Sequence, residues 1–367
     1  MNSIQMDKEY VANTYARFPL LIKKGKGSLV YDDKNQAYID LGTGIAVNAF
    51  GVADKKWQKA VKKQLGKVQH TSNLYFSEPC AMLAKELCLR TGMKKVFFGN
   101  SGAEANECAI KVARKYSAMK KGPDCYTIVT LISSFHGRTL TTLAATGQDH
   151  LHKDFQPLTP GFVHVPANDI DALKAAVAEN KVAGIMMEVI QGEGGVNALD
   201  QIYLMEADKL CHELDIPFII DEVQTGVGRT GSLFGFQQFG ISPDAVSFAK
   251  GIGGGLPFGG VMANEKCSKV ITPGSHGTTF GGNPVAAAAA SYVLDTLTDE
   301  FLLEVQEKGD YLRSQIEAMD IPCLGQTRGM GLMIGVEVKG EKTNRELAAK
   351  LLQHGLMCLT AGPGLRL

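Results

Sequence analysis

Residues 245–255 read AVSFAKGIGGG: an apolar run of strand type, closed by Lys250 and followed at once by glycine. A lysine at a strand end is usually a solvated charge, and glycines after it are usually a turn. The arrangement gains meaning because it recurs upstream. PFIIDEV (217–223) runs into Asp221, AGIMMEV (183–189) into Glu188, TIVTLISS (127–134) into Phe135 and His136, and KVFFGN (95–100) into Asn100 and Ser101. FVHVP (162–166) is a sixth run of the same kind. Near-continuous apolar strands separated by helical stretches predict an α/β fold with a mostly parallel sheet covered on both faces. Ligands of such sheets bind beyond the carboxyl ends of the strands. Five strands therefore deliver Asn100 and Ser101, then Phe135, His136 and Arg138, then Glu188 and Glu193, then Asp221 and Gln224, then Lys250 to one rim.

The chain has 367 residues, 45% of them apolar, enough for a large core and two domains. Residues 46–290 are expected to form a large domain. Residues 1–45, with a two-strand pattern in GSLVYDDKNQAYIDL (27–41), and residues 291–367, reading helix, turn, strand, helix, strand, are expected to build one smaller α+β domain. Lys plus Arg equals Asp plus Glu at 38 each, so no net field draws nucleic acid or an anionic membrane to the whole molecule. The N-terminal MNSIQMDKEYVANTY has no apolar signal core, and no run is long enough to span a bilayer; a cytoplasmic setting is expected. Eight cysteines without a CxxC pair and eight histidines without HExxH point to reduced thiols and to no metal site.

Three constellations on the rim carry chemistry. GNSGAEANE (99–107) follows a strand and opens a helix, with Ser101 and Glu104 spaced as a capping box. Ser101, Gly102 and Ala103 then leave backbone N–H groups free at the positive end of the helix dipole, where small side chains let a phosphate approach. Asp221 leaves a buried strand, which is costly unless it meets a cation or several donors; it reads either as a cap for the next segment or as a carboxylate that keeps a ring nitrogen protonated. Gln224 is placed to donate to a neighbouring oxygen. Lys250, desolvated at a sheet edge, has its amine pushed toward the neutral, nucleophilic form. The glycines behind it are expected to let the backbone pass close to a flat group. A phosphate cradle, a carboxylate for a pyridinium and a lysine for an aldehyde are the attachments that pyridoxal 5'-phosphate requires.

NSGAEANE, FHGRT, EVIQGEGG, DEVQTGVGRTG, PDAVSFAKGIGGGLPFGG and HGTTFGGNP, in this order over nearly the whole chain, resemble the class III pyridoxal-phosphate aminotransferases. The resemblance implies fold type I and a ping-pong transfer of an ω-amino group to 2-oxoglutarate. The donor it implies first is N-acetylornithine, with ornithine, succinylornithine, succinyldiaminopimelate or 4-aminobutyrate as alternatives, alongside a family member that has lost its chemistry. Gly44 and Ile45, where an aromatic is expected for an ornithine donor, lean toward an acylated one. By the same resemblance Lys250 is the Schiff-base lysine and Asp221 the partner of the ring nitrogen. Val223 and Phe135 sandwich the ring, and Gln224 lies near its phenolic oxygen. Thr279 reaches the phosphate of the neighbouring subunit's cofactor, so a homodimer with shared active sites is implied. Arg138 binds the donor's α-carboxylate, and Glu193 with Arg366 forms a switch between the two substrates. His136 is left outside the catalytic set, as a residue that packs or bonds the loop. Val189 stands where the family favours proline, and the family continues beyond the GLRL strand with further strand and helix.

Overall fold

The computed structural model describes residues 1–367. Its centre is a seven-stranded sheet: β1 (Lys95–Gly99), β2 (Thr127–Leu131), β3 (Phe162–Val165), β4 (Val182–Met187), β5 (Phe218–Asp221), β6 (Ala245–Phe248) and β7 (Gly259–Ala263), in spatial order β1-β7-β6-β5-β4-β2-β3. Each of the six apolar runs forms one of these strands. β4, β5 and β6 are wholly buried, as a sheet covered on both faces demands. β7 departs from the parallel pattern, pairing antiparallel with both β6 and β1. Its sequence GGVMA is too short and too rich in glycine to read as a central strand. Glycine is needed there because a Cβ on Gly260 would lie 2.3 Å from the carbonyl oxygen of Phe97.

Helix α1 (Gly102–Lys121) lies against β4, β6 and β7. It buries more than the single stripe of Ala105, Ala109, Val112, Ala113 and Tyr116: Asn106, Cys108, Ile110 and Ser117 are also covered. On the same chain Ala245 to Phe248 run beside Phe218 to Asp221 in parallel register, Asp221 opposite Ser247, so Asp221 and Lys250 emerge on neighbouring strand ends.

The two ends of the chain meet. Strands Ile22–Lys26, Leu29–Asp32 and Ala37–Asp40 form an antiparallel meander, and Leu356–Met357 adds to its edge, parallel to Ala37–Asp40. A second sheet orders Leu324–Met330, Met333–Val338, Gly364–Arg366 and Leu359–Ala361. Arg366 is opposite Gly335 on one side and Leu359 on the other, which pins it between two strands. No helix is long and apolar enough to cross a membrane.

Candidate active site

Beyond the carboxyl ends of the strands lies a cavity of about 490 Å³. Its wall includes Ser101, Gly102, Ala103, Phe135, Arg138, Asp221, Val223, Gln224 and Lys250, together with Asn106, His136 and Glu188. Sequence reasoning placed all of these but Asn106 on the rim or at the site. Asp221 closes β5 and is 3% exposed. Its Oδ1 accepts the Val223 N–H at 3.0 Å, and its Oδ2 accepts Asn106 Nδ2 at 2.7 Å and lies 2.8 Å from His136 Nδ1. Three donors answer the cost of taking this carboxylate out of water. The Val223 contact is the local cap foreseen as the plain alternative; the two side chains show that capping is not all the residue does.

Lys250 follows β6 with φ at +49°, in the left-handed region that a side chain normally avoids. Such strain persists where surrounding structure fixes it, commonly at functional sites. Burial pushes the Lys250 ammonium downward and nearby Arg366 adds to the effect, against the opposite pull of Glu193, Asp221 and Glu188. One of the glycines behind Lys250 also serves a second purpose. A Cβ on Gly254 would lie 2.6 Å from Trp57 Nε1, which approaches the Gly253 carbonyl at 3.3 Å. Room for an indole explains that part of the run, and only Gly255 of the loop lines the cavity.

At the start of α1, Ser101 Oγ accepts the Glu104 N–H at 3.2 Å. Glu104 does not complete a capping box; its carboxylate reaches one residue further back, to the N–H and Nδ2 of Asn100. The strand-to-helix turn is tight, with a Cβ on Gly99 only 3.3 Å from Glu104, which brings Asn100 within reach. Gly102 and Ala103, whose first-turn N–H groups have no intrahelical acceptor, line the cavity. Gly102 must be glycine for another reason: a Cβ there would sit 2.7 Å from Val223 Cγ1.

Glu188, 5% exposed, joins two loops by accepting the N–H groups of Phe135 at 2.9 Å and Gly192 at 3.0 Å. Burial drives its carboxyl upward, with Asp221 adding to that and His136 and the two N–H groups opposing it. The Arg138 guanidinium is exposed and stands 5.5 Å over the Phe135 ring. Arg366, 5% exposed, donates through one nitrogen to Glu193 Oε1 and to Gln224 Oε1, each at 2.8 Å. Thr279 is exposed and outside this chain's cavity; its neighbour Thr278 accepts from Asn100 Nδ2 at 3.1 Å. Of the polar residues here, sequence read His136 onto the rim but left it outside the catalytic set, and did not single out Asn106, which lies inside a helix where one polar residue on a second covered face gives no periodic signal.

The fold and this rim define a pyridoxal-phosphate enzyme of fold type I. The chain matches Aminotransferase class-III over residues 10–367 and belongs to that family. It is 49% identical to the acetylornithine aminotransferase of Haemophilus ducreyi, over 99% of this chain and 92% of that one. It is 47% identical to the acetylornithine aminotransferase of Caldanaerobacter subterraneus subsp. tengcongensis, over 96% and 90%. Among solved structures it resembles the ornithine aminotransferase of Toxoplasma gondii at a TM-score of 0.94 and 31% identity, covering 99% of this chain and 88% of that one. N-acetylornithine aminotransferase of Stenotrophomonas maltophilia matches at 0.84 and 34%, covering 99% and 91%.

Proposed function

We propose that this chain is a pyridoxal-phosphate-dependent transaminase that carries the ω-amino group of N-acetylornithine to 2-oxoglutarate, giving N-acetylglutamate 5-semialdehyde and glutamate in arginine biosynthesis. The names of the relatives at 43–49% identity support the substrate. The chemistry rests on one observation: Asp221, Lys250 and the free N–H groups of Gly102 and Ala103 surround the same cavity. That donor set fits the cofactor, offering N–H groups to a phosphate, a carboxylate to a ring N–H and an amine to an aldehyde. When bound, pyridoxal phosphate supplies an aldehyde that takes up an amine and a ring that draws electrons from the carbon losing its proton.

Within this reading each side chain has a task. Lys250, held toward its neutral form, would supply the amine that holds the aldehyde and the base that carries the proton at the reacting carbon. Asp221 keeps the ring nitrogen's proton in place. Ser101, Gly102 and Ala103 would hold the phosphate, and Phe135 and Val223 would hold the ring. Gln224 gives its Oε1 to Arg366, and its Nε2 would donate to the phenolic oxygen. Arg138 takes the donor's α-carboxylate, a task that suits a planar guanidinium. Glutamate carries a carboxylate next to its reacting carbon, and the ω-amine of acetylornithine does not. The Glu193–Arg366 pair therefore stays closed for the ω-amine donor and opens to give Arg366 to glutamate or 2-oxoglutarate. A buried guanidinium without either partner would be an uncompensated charge.

The working unit in this reading is a homodimer in the cytoplasm, with Thr279 reaching into the partner's site. Support comes from exposed Leu74, Tyr75, Phe76 and Phe280, and from Asn73, which ties the first loop to the carbonyls of Thr278 and Gly281. Residues 1–45 and 291–367 form the small domain beside 46–290; the pairing of Leu356–Met357 with Ala37–Asp40 supports that division. A panel of amino donors with 2-oxoglutarate as acceptor tests the substrate. N-acetylornithine should give the highest kcat/KM, and a higher value for ornithine or 4-aminobutyrate would overturn the assignment.

A further inference from the structure

We propose that His136 and Asn106 are positioning residues that clamp one oxygen of Asp221 so that the carboxylate can turn neither away from nor across the cavity. The proposal rests on the cofactor reading above and concerns two residues that it does not use. Both donors meet at Oδ2, Asn106 Nδ2 at 2.7 Å and His136 Nδ1 at 2.8 Å, while Val223 N–H holds Oδ1. An ionised carboxylate has about four acceptor positions. Three are occupied by protein, leaving room for one more donor, the number that a protonated ring nitrogen brings.

The clamp is itself fixed. The other Asn106 proton goes to the carbonyl oxygen of His136 at 2.7 Å, so the two donors hold each other as well as Asp221. The His136 N–H is taken by Thr146 Oγ1 at 2.9 Å. Both residues are almost wholly covered, at 1% and 2% exposure. A carboxylate only accepts, so the proton of the His136–Asp221 bond sits on Nδ1. His136 Nε2 and Asn106 Oδ1 are buried without any partner. Orphaned polar atoms carry a cost that an apolar side chain of similar volume would avoid. Two polar residues that each leave an atom unsatisfied, and spend the rest on one carboxylate, are explained by what they do for Asp221.

The test compares His136→Leu, which keeps bulk and removes the donor, with His136→Asn, whose Nδ2 can stand in for Nδ1. For each purified protein, the dissociation constant of pyridoxal phosphate is measured by titrating cofactor-free protein, and kcat and KM are measured with acetylornithine and 2-oxoglutarate. A hydrogen bond to a charged group is worth about 10- to 100-fold. His136→Leu should weaken cofactor binding by about that factor and lower kcat while leaving KM for the donor within about twofold. His136→Asn should recover most of both losses. Thermal melting of the cofactor-free proteins confirms that each is folded, and Asn106→Leu should repeat the His136→Leu pattern if folding prevents that variant's use. Equal cofactor affinity in wild type and His136→Leu, or equal losses in His136→Leu and His136→Asn, would overturn the clamp alone. Wild type that binds no pyridoxal phosphate would overturn the cofactor reading and the clamp with it.

Discussion

Asp221 and Glu222 are adjacent carboxylates, both almost fully buried, in two different neighbourhoods. Asp221 faces the cavity and is held largely by side chains, Asn106 and His136. Glu222 is turned into the protein, where it accepts the N–H groups of Gly235 at 2.9 Å and Phe236 at 2.5 Å and the hydroxyl of Thr225 at 2.7 Å. Burial pushes the Glu222 carboxyl up to about 7, despite those three bonds. A search for perturbed carboxyls alone would therefore select a residue with no path to a ligand. Burial marks a carboxylate as deliberate; what surrounds it decides whether the purpose is chemistry or the pinning of a loop.

The contrast is most sharply broken by removing each carboxylate in turn. Asp221→Ala should lower kcat on the order of 10³-fold with the protein still folded, as expected when a charge aimed at the reacting group is lost. Glu222→Ala should do the reverse: roughly 3 kcal/mol of stability lost in urea, because three donors are left buried without an acceptor, and kcat within a few fold in the protein that remains folded. Near-normal turnover in Asp221→Ala with cofactor bound would reduce that residue to a cap.

The pH dependence of stability gives a smaller separation. Glu222 has a folded pKa raised above its ordinary value of 4.5 to about 7. Its neutral form is favoured by folding, so its contribution is fully present below about pH 4.5 and is lost as pH rises through 7. Glu222→Gln removes that titration. The melting temperature of wild type should fall relative to Glu222→Gln between pH 4.5 and 7, by an amount equivalent to about 3 kcal/mol at most. Parallel curves for the two proteins would show that Glu222 does not titrate in this range. Smallest is the effect of Glu193→Ala on the glutamate half-reaction, whose single-turnover rate should be kept or raised because Arg366 is left open, while the acetylornithine half-reaction slows. Equal losses in both halves would make Glu193 scaffold.

The residues legible in the sequence are those at strand ends. Lys250, Asp221 and the 101–103 turn each break an apolar run, and a break in a strong period is a local signal. The QGEGG and GLRL stretches were placed by resemblance, and the ion pair between Glu193 and Arg366 joins residues 173 positions apart, beyond any local pattern. Asn106 escaped because it interrupts nothing, lying within a helix buried on more faces than its main stripe; His136 was read onto the rim, but following an aromatic in a loop it gave no sign of its bond to Asp221. Of the glycines after Lys250, Gly255 lines the cavity, whereas the reason for Gly254 was not legible, since its neighbour Trp57 belongs to a distant helix, Lys55–Leu65. β7 was missed because its glycines answer to the Phe97 and Phe248 backbones on either side.

The parallel pairing of Ile39 with Leu356 also sets an order of events during synthesis. The N-terminal meander leaves the ribosome long before Leu356, and Ala37–Asp40 then presents an unpaired edge for as long as it takes to make the chain between them. At about 5–20 residues per second this wait lasts tens of seconds, far longer than a hairpin needs to form. Through that interval the strand edge is a template for any extended chain nearby. Completion of this sheet thus waits on residue 356, and a nascent chain halted before it should be more prone to aggregate than one that has passed it.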